Sequence, residues 1–524
     1  MNKILVTDSI HDDAIEILKK AGHVEVATGL SIDELKEKIK DADAIVIRSG
    51  TKLTKEIIDV ANKLKVIARA GVGVDNVDLN AATEKGIIVV NSPDASSISV
   101  AELAIGLMLS SARNIPQATA SLKRGEWDRK SFKGIELYGK TLGIIGLGRI
   151  GQQIAKRAQA FNMKIVAYDP YIPVEVAKNM GIELMEVNDL CKVSDFITLH
   201  VPLTEKTKHM IGEEQINLMK PTTTLVNCAR GGLIDEKAAY EGIKSGKFRA
   251  IALDVFEEEP PKNNKIISLN EFIGTPHQGA STDEAQKSAG TIVAEQVVDV
   301  LEGRSASNVV NLPKIPNEKM NKLNPYINLA DKLGNMVIQL LDNVVEKVEI
   351  IYCGKDLEGE NTEMIKRSFL KGMLSPILNA GVNLINAPTI AKNRNIDIIE
   401  GTLSKCQYGN CIVVKAIGKN NTVSIVGTLV ECNPIIKEIN NYKVNVEPEG
   451  IICVIKHMDK PGVIGKASTL LGDYGINIAK MEVGRKEPGG ESVMVLKVDN
   501  IVDLEIIEKL KNVDNIIDVK VVKL

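Results

Sequence analysis

The chain has 524 residues, of which 44% are hydrophobic and 25% are charged, and its formal net charge is -3 at pH 7. This length and composition are typical of globular protein with roughly three or four domains. The small negative charge and the aromatic content of 3% exclude a broad basic surface or a set of stacking platforms for nucleic acid.

Residues 1–95 alternate short apolar runs with amphipathic segments, which predicts strands and helices in turn. Two of the predicted strands, Ala44–Ile47 and Val66–Ala68, lead directly into Arg48 and Arg69. In open α/β sheets ligands bind beyond the carboxyl ends of strands, where an arginine can hold a carboxylate or a phosphate through two donors. Position alone leaves two interpretations equally open: an anion site, or two solvated arginines at the edge of a sheet.

The segment Thr141–Asp169 is predicted to form a strand, a glycine turn, a helix and a second strand. Its turn has the spacing G-x-G-x-x-G, which lets a pyrophosphate approach the backbone and the helix N-terminus. One face of the helix is predicted to carry four apolar side chains at helical spacing: Ile150, Ile154, Ala158 and Phe161. Asp169 ends the second strand, where a carboxylate suits the ribose hydroxyls of NAD and repels the 2′-phosphate of NADP. Together these features predict a site for NAD.

Four polar residues fall at or just past the carboxyl ends of the later predicted strands: Arg230, Asp254, Glu259 and His277. A histidine exchanges protons near neutral pH and can serve as the base for an alcohol, while a glutamate can hold its imidazole. An arginine can bind a carboxylate and polarise the neighbouring carbonyl. Each residue alone also fits a solvated loop, but their shared edge favours a catalytic set for hydride transfer.

The second half of the chain carries fewer chemical signals. Residues 320–448 are predicted to form a separate α+β unit without a recognisable motif, and residues 451–524 read as β-α-β-β-α-β, a ferredoxin-like order. The seven cysteines include no C-x-x-C pair, which favours reduced thiols in the cytoplasm, and Cys406 and Cys411 are interpreted as structural. The histidines show no metal-ligand spacing, so no metal is predicted. The N-terminus does not read as a signal peptide.

The motifs GLGRIG, NCARGGLID, LDVFEEEP and TPHQGAST resemble those of the D-isomer-specific 2-hydroxyacid dehydrogenases, over roughly residues 1–310. Within that family the chain is similar to the long forms with an intervening domain and a C-terminal ACT domain. The resemblance implies an α/β fold of two doubly wound Rossmann-like domains, followed by an α+β intervening domain and a ferredoxin-like βαββαβ ACT domain. It implies an NAD-dependent enzyme that oxidises 3-phospho-D-glycerate to 3-phosphohydroxypyruvate, the first step of L-serine biosynthesis.

The resemblance also implies roles for individual residues. It assigns catalysis to Arg230, Glu259 and His277, and substrate binding to Arg48, Arg69 and Arg230. The implied cofactor contacts are Gly146, Gly148, Arg149, Ile150, Gly151, Asp169, Cys228, Ala229, Arg230, Asp254, His277, Gly279 and Ala280. The segment 125–130, which holds Arg129, Lys130 and the single tryptophan Trp127, is implied to reach a neighbouring subunit's site. From its residues alone, Trp127 suits an interface anchor or a plug on its own domain about equally.

The tail motifs H-x-D-x-P-G-x-I-G and I-N-I-A resemble those of ACT domains, which pair edge to edge and bind amino acids. By this resemblance His457, Asp459 and Asn477 are predicted ligands of L-serine, and the assembly is predicted to be a homotetramer. No nucleic acid, membrane or metal partner is predicted.

The predicted limits are 1–95 and 283–308 for the substrate-binding domain, 96–282 for the NAD-binding domain, 317–448 for the intervening domain and 450–524 for the ACT domain. Two alternative functions stay open. One is a glyoxylate or hydroxypyruvate reductase of the same family, which usually lacks an ACT tail. The other is an NAD-sensing interaction protein on a dehydrogenase scaffold.

Overall fold

The computed structural model describes residues 1–313, 315, 317–341, 344–358, 362–378 and 381–524. Four sheets follow one another along the chain, and each is described below with its helices as one unit. Within the described ranges, no single helix is long and apolar enough to cross a membrane. The helices Ser97–Arg113 and Ile115–Lys123, which meet at a bend of 63°, reach the length and apolar composition of a membrane span only when they are counted together.

The first unit is a five-stranded parallel sheet in the order β2-β1-β3-β4-β5. Its strands are β1 Asn2–Val6, β2 Gly22–Val26, β3 Ala44–Ile47, β4 Val66–Arg69 and β5 Ile88–Asn91. Its helices are α1 Asp12–Lys19, α2 Ile32–Ile39, α3 Lys55–Val60 and α4 Leu79–Glu84. The strand order reverses between β1 and β3, which opens a crevice at their carboxyl ends.

The second unit is a seven-stranded parallel sheet in the order β12-β11-β10-β9-β6-β7-β8. Its strands are β6 Thr141–Ile145, β7 Lys164–Tyr168, β8 Glu183–Leu184, β9 Phe196–Leu199, β10 Thr224–Asn227, β11 Ala250–Leu253 and β12 Phe272–Gly274. The helices are α5 Ser97–Arg113, α6 Ile115–Lys123, α7 Arg149–Ala160, α8 Val174–Asn179, α9 Val187–Val193, α10 Glu213–Leu218 and α11 Glu236–Lys244. Here the order reverses between β6 and β9, so the cofactor crevice of such a fold lies between these strands.

Two long helices link the first two units. Helix α5 packs against α7 in the core of the second unit, and α12 (Asp283–Leu301) returns to pack on α1 and β4 of the first. The sequence correctly predicts that Ile154 and Ala158 face the core along α7. It is wrong about Phe161, which caps the helix C-terminus and is 39% exposed, because α7 ends before the predicted face is complete.

The third unit is a mixed sheet in the order β14-β13-β15-β16-β17-β18, in which only β13 and β14 pair in parallel. Its strands are β13 Val345–Cys353, β14 Asp397–Leu403, β15 Cys411–Gly418, β16 Thr422–Val430, β17 Asn433–Ile439 and β18 Tyr442–Val446. Helices α13 Asn317–Leu340, α14 Thr362–Leu374 and α15 Ala387–Asn393 accompany it. Strands β14 and β17 are not anticipated from the sequence.

The fourth unit is an antiparallel sheet in the order β20-β21-β19-β22. Its elements follow the chain as β19 Ile451–Met458, α16 Val463–Asp473, β20 Ile478–Arg485, β21 Glu491–Val498, α17 Leu504–Lys511 and β22 Ile516–Lys523. This is the predicted βαββαβ order. One face of the sheet packs on α16 and α17, and the other face shares a hydrophobic core with the third unit. The α/β fold class with a ferredoxin-like tail is therefore confirmed.

Candidate active site

His277 and Glu259 form a hydrogen-bonded pair at the carboxyl edge of the second sheet. The imidazole Nδ1 lies 2.7 Å from Glu259 Oε2. Because a carboxylate only accepts hydrogen bonds, Nδ1 carries the hydrogen and Nε2 is left to accept a proton. Glu259 is itself held through Oε1, which accepts a hydrogen bond of 3.1 Å from the amide of Phe256. The pair thus has the tautomer and orientation of a general base and its supporting carboxylate.

Asp254 organises the loop that carries His277. Its buried carboxylate accepts hydrogen bonds from Thr275 Oγ1 (2.6 Å) and from the amides of Gln278 (2.7 Å) and Gly279 (2.9 Å). The amide of His277 donates to the Asp254 carbonyl at 2.8 Å. Asp254, predicted as a cofactor contact, therefore holds this loop through four hydrogen bonds.

The end of that loop is tied to helix α5. Ser99 Oγ donates to the Gly279 carbonyl at 2.9 Å, and a Cβ added at Gly279 would lie 3.1 Å from Val100 Cγ2. Gly279 is buried, whereas the next predicted contact, Ala280, is exposed. The loop therefore reaches the surface just past Gly279.

Arg230 lies at the same edge, separated from the His277 loop by strand β11, which places the two loops about 10 Å apart across the sheet. Asn227 shapes the turn between β10 and Arg230: its side chain accepts from the Ala229 amide (3.0 Å) and donates to the Arg230 carbonyl (2.8 Å). The guanidinium donates from Nη1 to the Ala229 carbonyl (2.7 Å) and from Nε to Asp75 of the first unit (3.2 Å). Arg230 therefore spans the cleft between the two units.

Three arginines converge on this cleft. A Cβ added at Gly73 would lie 2.0 Å from Arg230 Nη2, and one at Gly71 would lie 1.8 Å from Arg69 Nη1, so this loop passes directly beside both guanidinium groups. Burial and the charges of Arg230 and Arg48 together lower the pKa of Arg69 to about 10, against the opposing charge of Asp75. Among the described residues, Arg69 Nε is buried without a hydrogen-bond partner. These properties favour a site for an anion.

Arg48 lies at the crevice of the first sheet and is held there by neighbouring side chains. Asp8 accepts hydrogen bonds from the amides of Arg48 (2.5 Å) and Thr51 (3.1 Å), and Arg48 Nη1 lies 3.4 Å from Gln286 Oε1. Asp8, Asp75, Asn227 and Gln286 are supporting residues that sequence reasoning did not identify. The first three stand within a few residues of a strand's carboxyl end, and that position is the signal by which they could have been found.

The glycine turn after β6 fits a dinucleotide. A Cβ at Gly146 would lie 2.6 Å from the His200 carbonyl, and one at Gly151 would lie 2.1 Å from the Gly146 carbonyl, so neither position accepts a side chain. A Cβ at Gly148 would meet nothing within 4 Å, which leaves open space in front of the helix. Gly148 is the N-cap of α7 and makes no side-chain cap, so the first amides of the helix remain available to an anion.

The residues around this turn have defined partners. Asp169 accepts hydrogen bonds from the amides of Leu147 (2.8 Å) and Tyr171 (2.9 Å), which place its carboxylate beside the turn. Arg149 is ion-paired with Asp94 at 2.5 Å, and Ile150 is partly buried against the core. Burial and then the charge of Asp254 raise the pKa of the Cys228 thiol, so this predicted contact is not a nucleophile at neutral pH.

The predicted effector residues lie at two ends of the fourth sheet. His457 is buried and its Nδ1 contacts the Met458 carbonyl at 2.8 Å, while Asp459 is held by the Gly489 amide (3.2 Å) and Arg485 (3.3 Å). Asn477 donates to Asp499 (2.7 Å) at the opposite end, since β19 and β21 pair from Ile451–Val498 to Met458–Glu491. One chain therefore brings His457 and Asp459 together but not Asn477.

Comparison with known proteins supports the same division of the chain. Residues 105–279 match the family model of the D-isomer specific 2-hydroxyacid dehydrogenase NAD binding domain. Residues 322–440 match the D-3-phosphoglycerate dehydrogenase intervening domain, and residues 451–515 match the ACT domain. A D-3-phosphoglycerate dehydrogenase from Methanocaldococcus jannaschii is 65% identical, and the match covers 100% of both chains. The chain belongs to the D-3-phosphoglycerate dehydrogenase family.

Other members of the D-3-phosphoglycerate dehydrogenase family are also similar over their full length. The member from Archaeoglobus fulgidus is 44% identical and that from Bacillus subtilis 40%, each with 100% of both chains covered. The predicted family, the NAD cofactor and the dehydrogenase class of the enzyme are therefore confirmed.

Solved structures of related dehydrogenases match 59% of this chain. D-lactate dehydrogenase from Aquifex aeolicus, complexed with NAD and lactic acid, is 31% identical with a TM-score of 0.54, and the match covers 59% of this chain and 100% of that one. A glyoxylate reductase from Paecilomyes thermophila is 30% identical with a TM-score of 0.55, covering 59% and 98%. Both of these proteins are therefore matched almost whole by part of this chain.

Proposed function

We propose that the chain catalyses the reversible NAD-dependent oxidation of 3-phospho-D-glycerate to 3-phosphohydroxypyruvate, the first step of L-serine biosynthesis. The observation that carries this proposal is the convergence of Arg48, Arg69 and Arg230 on the cleft whose other side holds the His277–Glu259 pair. Such a cleft offers an acid–base group for one hydroxyl and more positive charge than a single carboxylate needs. A substrate with both a carboxylate and a phosphate matches that charge.

In this proposal His277 Nε2 accepts the proton of the substrate's C2 hydroxyl. Glu259 stabilises the imidazolium that forms, because its carboxylate already accepts the hydrogen bond from Nδ1 at 2.7 Å. In the reverse direction the same imidazolium returns the proton to the carbonyl oxygen. The Asp254 hydrogen bonds keep the His277 loop in place through both directions.

Arg230 binds the substrate carboxylate and orients C2 toward His277. Its Nε is paired with the exposed Asp75 in the present structure, and the incoming carboxylate competes with this contact. Arg69 and Arg48 bind the phosphate, which supplies the buried Arg69 Nε with a partner and offsets the mutual repulsion of the three cations.

The residues around the glycine turn fit NAD. The free α7 amides at Gly148 would hold the pyrophosphate, and Asp169 would accept hydrogen bonds from the ribose. When bound, NAD supplies the two-electron acceptor for the oxidation. The carboxylate of Asp169 favours NAD over NADP because it repels a 2′-phosphate. The remaining predicted contacts, from Cys228 to Ala280, are part of this proposal.

The decisive experiment follows NADH oxidation with 3-phosphohydroxypyruvate, hydroxypyruvate and glyoxylate in parallel. We expect the highest kcat/KM with the phosphorylated acid. An Arg69→Gln variant should lower that preference by about 10- to 100-fold, the effect of losing one charge-assisted hydrogen bond. Lys63→Gln is the matched control, since Lys63 is an exposed cation near the opposite, amino-terminal edge of the same sheet.

The outcomes separate the alternatives. Equal or better rates on the unphosphorylated acids would show a general 2-oxoacid reductase, such as a glyoxylate or hydroxypyruvate reductase. Absence of turnover on all three acids, together with capture of a stable protein partner, would favour an NAD-sensing interaction protein. The glyoxylate reductase structure matches only 59% of this chain, and the third and fourth units beyond it support the phosphoglycerate assignment.

We further propose that L-serine regulates the enzyme at the ACT domain in a homotetramer. His457 and Asp459 of one chain would share the ligand with Asn477 of another, since Asn477 lies at the far end of its own sheet. Trp127 supports an intersubunit role for its segment, because its side chain is 80% exposed and so offers a large apolar surface to a partner. Isothermal titration with L-serine and light scattering of the intact protein test these two points.

The predicted domain limits at 95, 282, 308 and 448, and the cytoplasmic location, belong to the same proposal. The packing of α12 on the first unit supports the return segment 283–308. The odd number of cysteines supports a reducing compartment.

A further inference from the structure

Three cysteines from distant parts of the third unit meet in one cluster. Their sulfurs, from Cys353, Cys406 and Cys411, all lie within 4.8 Å of one another, and the Cys406 and Cys411 sulfurs are 2.8 Å apart. The cluster is far along the chain from every residue assigned to catalysis. From this geometry we propose that the cluster is a binding site for a soft, thiophilic metal ion, with Zn²⁺ as the representative ion.

The strands deliver two of the ligands. Cys353 ends β13 and Cys411 begins β15, and these residues are direct partners in the antiparallel register. Side chains of directly paired residues project from the same face of a sheet, so both thiols point to one side. Both side chains are buried.

A hydrogen-bonded turn delivers the third ligand. The amide of Gly409 donates to the Cys406 carbonyl at 3.1 Å, and Gly409 has a φ of 73°, which suits glycine. Thr428 Oγ1 donates to the Asn410 carbonyl at 2.7 Å, and the Tyr408 hydroxyl donates to Glu438 at 2.8 Å. The turn is therefore fixed to β16 and β17, and Cys406 is directed back onto Cys411.

The spacing of the sulfurs suits one shared ion. With Zn–S bonds of about 2.3 Å, thiolates around a tetrahedral ion lie about 3.8 Å apart. The three sulfurs lie within 4.8 Å of one another, so one ion can reach all of them. Binding would move the Cys406 and Cys411 sulfurs, which are 2.8 Å apart, about 1 Å further from each other. Cys406 and Cys411 also have the spacing C-x4-C, which is common in zinc sites. A disulfide would use two of the sulfurs and leave the third without a role.

The surroundings of the cluster favour metal-bound thiolates over free thiolates. The cluster is packed against Val426, Ile351, Val413 and Tyr408. A bare thiolate is costly among apolar groups, and a metal ion supplies the charge that lets three sulfurs bind in the deprotonated form. Soft sulfur ligands select ions such as Zn²⁺ or Cu⁺ over Mg²⁺ and Ca²⁺.

Among the described residues the cluster offers three ligands to the ion, so a small exogenous ligand such as water completes a tetrahedron. The bound ion would fasten the 404–410 segment to the sheet.

The test uses the full-length protein, purified anaerobically and loaded with Zn²⁺. Elemental analysis should find about one ion per chain, and Co²⁺ loaded in its place should show thiolate-to-cobalt charge-transfer absorption. Cys353→Ser and Cys411→Ser should each abolish both signals. Cys432→Ser, an exposed cysteine of the same unit outside the cluster, should leave both unchanged.

Three results would overturn the proposal. One is a wild-type protein that retains no metal and whose cluster thiols all react with an alkylating agent. Another is a mass that shows a Cys406–Cys411 disulfide after anaerobic purification. The third is loss of the metal in Cys432→Ser. Because the cobalt spectrum is recorded on the wild-type chain, the test does not depend on the folding of the serine variants.

Discussion

At the scale of single residues, the hydrogen bond between His277 and Glu259 makes a prediction about catalysis. Glu259→Gln keeps the size of the side chain but removes the charge that stabilises the imidazolium. We expect kcat to fall by about 100-fold or more with little change in KM, since general acid–base groups contribute about 10²–10⁴-fold. Steady-state kinetics in both directions measure this.

The neighbouring glutamate provides a control for that prediction. Glu258→Gln changes the same charge one residue earlier in an exposed position, and it should leave kcat unchanged. A Glu259→Gln enzyme as active as Glu258→Gln would show that the 2.7 Å contact has no part in proton transfer.

His200 makes a prediction about stability and pH. The residue is half-buried, with Nδ1 enclosed and Nε2 at 2.7 Å from Thr198 Oγ1, and burial lowers its pKa from 6.5 to about 3. Below pH 6.5 the unfolded chain binds a proton that the folded chain does not, so stability is lost as the pH falls. His200→Gln should remove this loss, which approaches about 1.4 kcal/mol per pH unit for one proton.

Thermal unfolding of the two proteins between pH 7 and pH 5 measures the difference, because carboxylates titrate equally in both. His23→Gln is the control, since it replaces an exposed histidine on β2 in the same way. Parallel curves for wild type and His200→Gln would contradict the prediction.

At the scale of elements, different glycines of the β6–α7 turn are required for folding and for NAD binding. A Cβ at Gly151 would lie 2.1 Å from the Gly146 carbonyl, whereas a Cβ at Gly148 would meet nothing within 4 Å. Gly151→Ala should therefore lower both the melting temperature and NAD affinity. Gly148→Ala should leave the melting temperature unchanged and weaken NAD binding at least about 10-fold, because the methyl group occupies the space left for the pyrophosphate.

Fluorescence titration with NADH and thermal unfolding measure the two effects. Gly106→Ala in α5 is the control, because this helical glycine also has open space and its replacement should slightly stabilise the protein. If Gly148→Ala bound NADH as tightly as wild type, the cofactor would not pass this turn.

The elements also show what a sequence can and cannot predict. The glycine turn and the His277 loop are predicted well, because the chemistry of each depends on a few residues next to a buried strand. Strand β14 is missed because it is mostly exposed, so its few apolar residues do not show the alternation of a half-buried strand. The cluster of Cys353 with Cys411 is missed because only the register of β13 and β15 brings these residues together.

At the scale of the whole molecule, the third unit contacts the first beside Gly86. Asn383 Nδ2 donates to the Gly86 carbonyl at 2.7 Å, between α4 and β5, and a Cβ at Gly86 would lie 2.6 Å from Asn386 Nδ2. Strand β4, which ends in Arg69, pairs with β5. Under the regulation proposed above, Gly86→Ala should open this contact, weaken inhibition by L-serine several-fold and speed amide exchange over residues 383–391.

Gly29→Ala is the matched control for the backbone strain. Gly29 has a φ of 71°, close to the 73° of Gly86, but a Cβ there would meet nothing within 4 Å. Gly29→Ala should lower the stability of the protein about as much as Gly86→Ala does. Its response to L-serine and the amide exchange of residues 383–391 should stay as in wild type. If both variants changed the L-serine response and the amide exchange equally, backbone strain alone would explain the effect of Gly86→Ala.

The core shared by the third and fourth units has a consequence for how the protein melts and how it can be engineered. Ile452, Val454 and Val495 of the ACT sheet lie in the same cluster as Leu333 and Ile425 of the third unit. Residues 320–524 should therefore behave as one cooperative unfolding unit and give a single endotherm in calorimetry. Regulation cannot be removed by trimming the tail at residue 450, because the cut would strip the intervening domain of part of its interior. A chimera that exchanges the regulator has to carry both units.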